Sequence, residues 1–288
     1  MTRLLLSQKK PRKEKLLNMG VILGNIIAIY RRELQSYFAS PLAYAIAGVF
    51  WLLSGFFFVV ILLGPEGIIQ QVVQRDLQGQ QVGVPVPPVD VAYEFLRAFL
   101  SIMGSLALFV LPILSMGLYA EERKRGTLEL LATSPVTNWA VAVGKLLGVL
   151  TFFTTMVLPL LAYEAIALSA ANPPVQPAVP LLGHLGLILL AAAVLSLGMF
   201  ISSLTDSTIL AAVITFALIL FLWVIDAIAK NFSGAVGEAL GHLSLLKHYN
   251  NLVQGIFDTS SLIMFASYIL LGIFLTAQSI DALRFQRS

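Results

Sequence analysis

The sequence predicts an all-α, polytopic membrane protein with six transmembrane helices. Three observations carry that prediction. Of the 288 residues, 58% are hydrophobic and only 11% are charged, against about 45–50% and about 25% in soluble domains. Six segments are long and apolar enough to cross a bilayer, which takes roughly 20 residues of helix. These are Pro41–Leu63, Phe99–Tyr119, Ala140–Leu168, Leu181–Ser203, Ser207–Ala229 and Leu262–Leu283. Each is continuously apolar, without the alternation that marks a barrel strand.

The amino terminus is read first. Residues 1–19 form a basic extension, and residues 20–288 form the transmembrane domain. The basic stretch Met1–Lys15 followed by the apolar Leu16–Tyr30 has the outline of a signal peptide, but Tyr30-Arg31-Arg32-Glu33 follows in place of a small-residue cleavage site. Gly20–Phe38 is therefore expected to be an amphipathic helix in the membrane interface. Met19 is an alternative start, which would leave Met1–Asn18 as a disordered basic extension.

Lysine and arginine positions then orient the spans. With an even number of spans, both termini share a side. Fourteen of the 18 Lys and Arg residues fall on it, including Arg31, Arg32, Arg123, Lys124, Arg125 and Lys145. The other side holds Arg75, Arg97, Lys230 and Lys247. The positive-inside rule makes the first side cytoplasmic, which predicts a multi-pass inner-membrane protein with both termini in the cytoplasm. The net charge of +3 is accounted for by topology and gives no reason to invoke nucleic acid.

Two extramembrane segments on the opposite side exceed simple turns. Gly64–Ala98 contains the proline-rich GVPVPP and cannot be helical throughout. Lys230–Ser261 holds two apolar pieces, Ala235–Leu246 and Tyr249–Phe257, too short to span. Re-entrant helices and an ordinary amphipathic hairpin both fit it.

The most charged stretch is AEERKRGTLELLATSPVTN, Ala120–Asn138. Arg123, Lys124 and Arg125 complement the negative end of the helix dipole. Gly126 stands where a terminating glycine belongs. Glu121 and Glu122 are spaced to pair with Arg125 at i,i+4 and i,i+3. Thr127 is placed to cap a short helix, Leu128–Thr133, with Glu129 in its first turn; Ser134-Pro135 ends it, and Thr137 or Asn138 caps the third span. Such a short helix across two span ends suits docking to a partner. The plainer reading is that these charges only set topology.

Several chemistries are excluded. With no cysteine there is no disulfide, thiolate metal site or cysteine catalysis. No HExxH, GxGD or Walker A loop occurs. His184, His242 and His248 are scattered near the outer side. Glu164 and Asp226 are the acids within spans, read as interfacial groups that reach water or hydrogen-bond a neighbour in preference to functional intramembrane acids. Asp281 is spaced to pair with Arg284. Small residues at Ala191–Ala193, Gly186 and Gly198 suit close helix packing.

The run EERKRGTLELLATSPVTNWAVAVGK resembles the cytoplasmic loop of ABC-2 type permeases, particularly the branch of the gliding-motility permease GldF and the nitrous-oxide-reductase maturation permease NosY. YRRELQSYFASPLAYAIAGVF resembles that family's interfacial helix and first span, and HYNNLVQGIFDTSSLIMF the entry to its last span. The resemblance covers the chain from about Val21. It implies a permease subunit of an ATP-binding cassette transporter, coupling ATP hydrolysis in a separate subunit to export or mechanical work. Two cytoplasmic ATP-binding subunits, a second permease copy forming a homodimer or heterodimer, and a periplasmic-domain auxiliary protein are the implied partners, besides membrane lipid. ATP and magnesium would belong to the partner, so no cofactor is expected here and the chain itself is not expected to be an enzyme. The implied coupling residues are Glu121, Glu122, Arg123, Lys124, Arg125, Gly126, Thr127 and Glu129 in the loop. Arg31, Arg32 and Glu33 stand in the elbow helix. The segment Ala235–Phe257 would be paired helices capping the exit. The alternative is a membrane scaffold that recruits a complex without transport. A secondary transporter is disfavoured by the absence of mid-span charge and of internal repeats.

Overall fold

A computed structural model describes residues 2–128, 136–172 and 174–285. Among them are eleven helices: α1 Thr2–Ala39, α2 Pro41–Leu63, α3 Ile68–Val82, α4 Val91–Ser115, α5 Gly117–Lys124, α6 Asn138–Leu168, α7 Ala178–Leu204, α8 Thr208–Ala229, α9 Ala235–His242, α10 Leu245–Val253 and α11 Thr259–Phe285. Six helical stretches are long and apolar enough to cross a membrane. They are headed by α2, the α4–α5 pair, α6, α7, α8 and α11. The fold is the all-α polytopic one that the sequence predicts, and α2 begins and ends where hydropathy puts it.

Side-chain oxygens start four of the spanning helices, as Ser244 starts α10. Ser40, Asp90, Thr137 and Ser207 accept from the backbone N–H three residues on, at the heads of α2, α4, α6 and α8. Each satisfies an amide that has no partner within its own helix.

The bundle is built around α7. In its most apolar stretch 78% of the residues are buried, against 17% for the stretch that includes α2. It packs on α4, α5, α6, α8, α10 and α11. Its Ala191, Ala192 and Ala193 are buried, and a side chain added at Gly198 would strike Ser115. Small residues let backbones approach where no hydrophobic effect drives helix association.

The two ends of the bundle are held differently. At the basic end, the Asn138 amide donates to Asp281 at 2.6 Å, joining the start of α6 to α11. Tyr37 Oη donates to the Leu114 carbonyl at 2.6 Å, joining α1 to α4. At the other end Tyr93 Oη donates to the Gln254 carbonyl at 3.2 Å, and Tyr249 Oη to that of Leu100.

Three segments outside the spans add detail to the sequence reading. The backbone is helical from Thr2, so α1 runs through the basic extension and on to Ala39. The outer connection 64–98 contains the helix α3, ended by Gly83 at φ 68°, before the chain runs extended through the prolines. Its sequence IIQQVVQRDLQGQQV is too polar for a span and carries one apolar stripe, so hydropathy passed over it. The expected paired helices exist as α9 and α10. Leu245, Tyr249 and Leu252 of α10 are buried against α4 and α7, and the Tyr249 ring packs against Gly104.

Candidate functional site

The charged segment after the second span is built on α5. The chain breaks helix at Met116, just beyond Pro112. Across the break, Ser202 of α7 acts on both sides. Its Oγ accepts from the amides of Tyr119 and Ala120, at 3.0 Å each, and donates to the Met116 carbonyl at 2.7 Å. Arg123 Nη1 donates to the Ser203 carbonyl at 2.6 Å. The interruption is thus a fixed corner, because the amides freed by it are satisfied by a neighbouring helix.

Gly126 ends α5 as its position in the sequence predicts. It lies at φ 70°. The Gly126 amide donates to the Arg123 carbonyl at 3.1 Å, and the Thr127 amide to that of Glu122 at 2.9 Å. This pair of bonds is the Schellman arrangement. Thr127 Oγ1 also donates to the Glu122 carbonyl at 3.2 Å, so the hydroxyl closes α5. Glu129 and the helix expected over Leu128–Thr133 lie outside the described residues, except Leu128, which is buried.

The acids of α5 divide between two roles. Glu121 faces water and meets Arg125 at 3.4 Å, with both side chains more than half exposed. The predicted Glu122–Arg125 pair is not formed. Glu122 turns inward because a cation stands there: Lys145 of α6 donates to Glu122 Oε1 at 3.0 Å and to Glu33 Oε1 of α1 at 2.8 Å. The lysine side chain is 3% exposed, and its ammonium lies 5.0 Å from the centre of the Tyr119 ring. Buried charge persists only when paired. One lysine therefore ties the elbow helix, the charged corner and the third span together. The second oxygen of Glu122 is buried without a hydrogen bond.

Two glycines make this meeting possible. Gly144 sits against Ile29 and the Ile26 carbonyl of α1, and Gly148 against Glu33 and Tyr30. Beside them Tyr37 is half-buried, and desolvation first, then Glu33 and Glu121, push its ionisation well above the usual phenol range. It stays a donor to Leu114. Arg31, Arg32 and Lys124 are exposed. Sequence reasoning missed Lys145, Ser202 and Ser203. Lys145 had a signal, being the one cation inside the third apolar run, but it was counted as a topology charge.

The remaining intramembrane acids separate. Asp226 meets Lys230 at 2.8 Å with partial exposure, in keeping with an interfacial acid. Glu164 does not reach water: it is 1% exposed, on α6, with His184 Nε2 of α7 at 3.6 Å. His184 Nδ1 meets the Pro180 carbonyl at 2.9 Å. The third span turns this position toward α7, so the acid cannot reach water. The rings of His242 and His248 stack at 6.1 Å, at the top of the α9–α10 hairpin. Arg284's side chain, the expected partner of Asp281, lies outside the described residues.

Residues 87–229 match the family model described as ABC-2 family transporter protein. No curated protein matches the chain. The matched stretch runs from the entry of α4 to the end of α8, and so contains the fixed corner, Lys145 and the central helix α7. It speaks for the family and not for a branch within it. With six apolar helices and this match over residues 87–229, the chain is a multi-pass membrane protein that carries an ABC-2 family transporter domain, the membrane permease part of an ABC transporter.

Proposed function

We propose that this permease couples ATP hydrolysis in a separate ATP-binding subunit to export, or to mechanical work, across the inner membrane. Its basic end is cytoplasmic, with both termini there. ATP and magnesium belong to the partner. Two permease copies, identical or related, pair above two ATP-binding subunits.

The observation that carries this reading is how α5 is held. It is fixed to α7 through Ser202 and Ser203, and to α1 and α6 through Lys145. Its outer face, with Glu121, Lys124 and Arg125, makes none of those contacts and stays in water. A push on such a face is delivered to three neighbouring helices at once, because packed elements move as bodies rather than bending. The residues 127–135 that follow would seat the partner, together with Arg31 and Arg32 of α1.

Co-purification with the ATP-binding subunit tests the docking. Glu121→Ala combined with Arg125→Ala is expected to leave insertion intact while weakening assembly and ATPase stimulation. Glu122 must be left in place, since removing it would disturb the fold rather than the docking face. Undiminished assembly and stimulation in the double variant would sink the docking role. In reconstituted vesicles, ATP-dependent movement of a candidate substrate is expected; recruitment of the ATPase without any movement would favour a scaffold.

A further inference from the structure

The end of the bundle opposite the basic one buries two ionisable groups that the coupling scheme leaves unused. At 1.5 Å per residue, Glu164 lies about 6 Å inside the end of α6 and His184 about 9 Å inside the start of α7. Their side chains are 1% and 3% exposed, and Glu164 Oε1 stands 3.6 Å from His184 Nε2. Helix α10 lies across this turn of α7. Its Tyr249 and Leu252 press on Gly186, and Val253 lies against Gly183.

The hydrogen bonds decide where the proton sits. His184 Nδ1 is 2.9 Å from the Pro180 carbonyl. A carbonyl only accepts, so that nitrogen carries hydrogen. In a neutral imidazole Nε2 is then an acceptor, and it faces an acid. Both Glu164 oxygens and His184 Nε2 are buried without a hydrogen bond among the described residues. A carboxylate set against the Nε2 lone pair would be a bare buried charge. An imidazolium–carboxylate pair would need further donors on its oxygens to offset desolvation. A carboxylic acid that donates to Nε2 satisfies both partners with no charge at all.

The surroundings supply no competing charge. Tyr163 of α6 and Tyr249 of α10 are near enough to feel Glu164. Their hydroxyls donate elsewhere, to Ser54 Oγ of α2 at 3.0 Å and to the Leu100 carbonyl of α4. Glu94 and Arg97 of α4 pair with each other at the surface, as do Asp226 and Lys230 of α8. Asp258, just before α11, acts on His248.

We propose that Glu164 and His184 form a proton-binding site that latches this end of the bundle shut. The acid holds one proton and donates it to Nε2, tying α6 to α7 beneath α10. When α10 lifts and water enters, the carboxyl O–H bond breaks, the electron pair stays on oxygen and the proton passes to water at that end. The closed form thus holds one proton more than the open form, so closure weakens as pH rises. His184 works in the opposite sense below about 6.5, where an opened imidazole charges. Only the opening step rests on the permease reading; the protonation does not.

The test uses the full chain in detergent, without the ATP-binding subunit, and with glutamate labelled by heavy carbon at the carboxyl. An infrared spectrum at about pH 8, where exposed carboxyls are ionised, is expected to show one carboxylic-acid carbonyl band. The label is expected to move it, and Glu164→Gln to remove it. Hydrogen exchange over residues 160–168 is then followed from about pH 7 to about pH 9, above the imidazole range and below the phenol range. Relative to Glu164→Gln, whose amide stays neutral, opening in the wild type is expected to grow by up to about tenfold per pH unit, one proton released per opening. A labelled wild type without the band, or a band that persists in Glu164→Gln, would mean an ionised Glu164 and overturn the site. The wild-type arm stands even if the variant misfolds. Equal pH dependence in the two proteins would overturn the latch. Neither result bears on docking of the ATP-binding subunit, so this proposal and the proposed function fail separately.

Discussion

Replacing Lys145 by methionine removes the cation that joins α1, α5 and α6 while keeping most of its aliphatic length. The lysine side chain is 3% exposed, and its ammonium lies 2.8 and 3.0 Å from two carboxylates. Breaking a buried pair by deleting one partner costs about 3–5 kcal/mol, because the remaining charge is left in low dielectric. Glu33 and Glu122 keep 14% and 16% of their side-chain exposure. Water reaches them in part, which puts the cost near the lower bound, about 3 kcal/mol. Two carboxylates freed together also repel each other across the vacated space. The triple variant Lys145→Met/Glu33→Gln/Glu122→Gln takes all three charges away, and neutral replacement of a buried ion pair is often close to neutral. The assay is unfolding in detergent for wild type, single and triple variants, with protection of residues 20–38 read by hydrogen exchange. The single variant is expected to lose the most stability and to loosen α1 first, and the triple to recover most of the loss. A single variant within about 0.5 kcal/mol of wild type, the range of ordinary surface substitutions, would refute the reasoning. A triple variant as unstable as the single would do the same.

Three further outcomes follow from the geometry. Ser202→Ala leaves the buried amides of Tyr119 and Ala120 without an acceptor, for a cost of about 1–3 kcal/mol; faster hydrogen exchange at these two amides checks it. Gly126→Ala meets no atom within 4 Å yet forces φ 70° on a residue with a Cβ, at about 1–2 kcal/mol. It is expected to fray α5 without altering the core, which limited proteolysis after Arg123–Arg125 would report. Burial pushes His248 below the ordinary imidazole value of about 6.5, so its folded form takes up a proton less readily than its unfolded form. Its contribution is therefore full above 6.5 and declines as pH falls toward the folded value. His242, Lys247 and Asp258 also act on it. Hydrogen exchange across Leu245–Val253 should quicken on acidification, and a flat profile would count against it.

Hydropathy made the spans legible because burial in lipid is a property of each segment by itself. Capping was legible for the same reason: Gly126 and Thr137 act within a few residues of their own position. What stayed hidden depends on partners distant in the chain. Lys145 and Glu33 are 112 residues apart in sequence, and nothing local distinguishes a lysine that anchors topology from one that joins three helices. Glu122 was assigned to Arg125 because i,i+3 spacing allows it; the inward cation outcompetes that pair by offering a drier site. Glu164 was read as interfacial because its place along α6 is visible in sequence, whereas the direction it faces is not. Helix α3 escaped because amphipathic helices too polar to span look like connecting chain.

The central position of α7 has a practical consequence for watching this protein work. A helix enclosed on nearly every side can move little without displacing its neighbours, so it provides the internal frame of reference. Distances measured by paired spin labels or fluorophores will be most informative with one label at an end of α7, near Thr205. The second belongs on the outward faces of α2 or α8, at positions such as Leu52 or Ile209, which are 70% and 74% exposed. Two labels placed both on the periphery would record only the sum of two displacements.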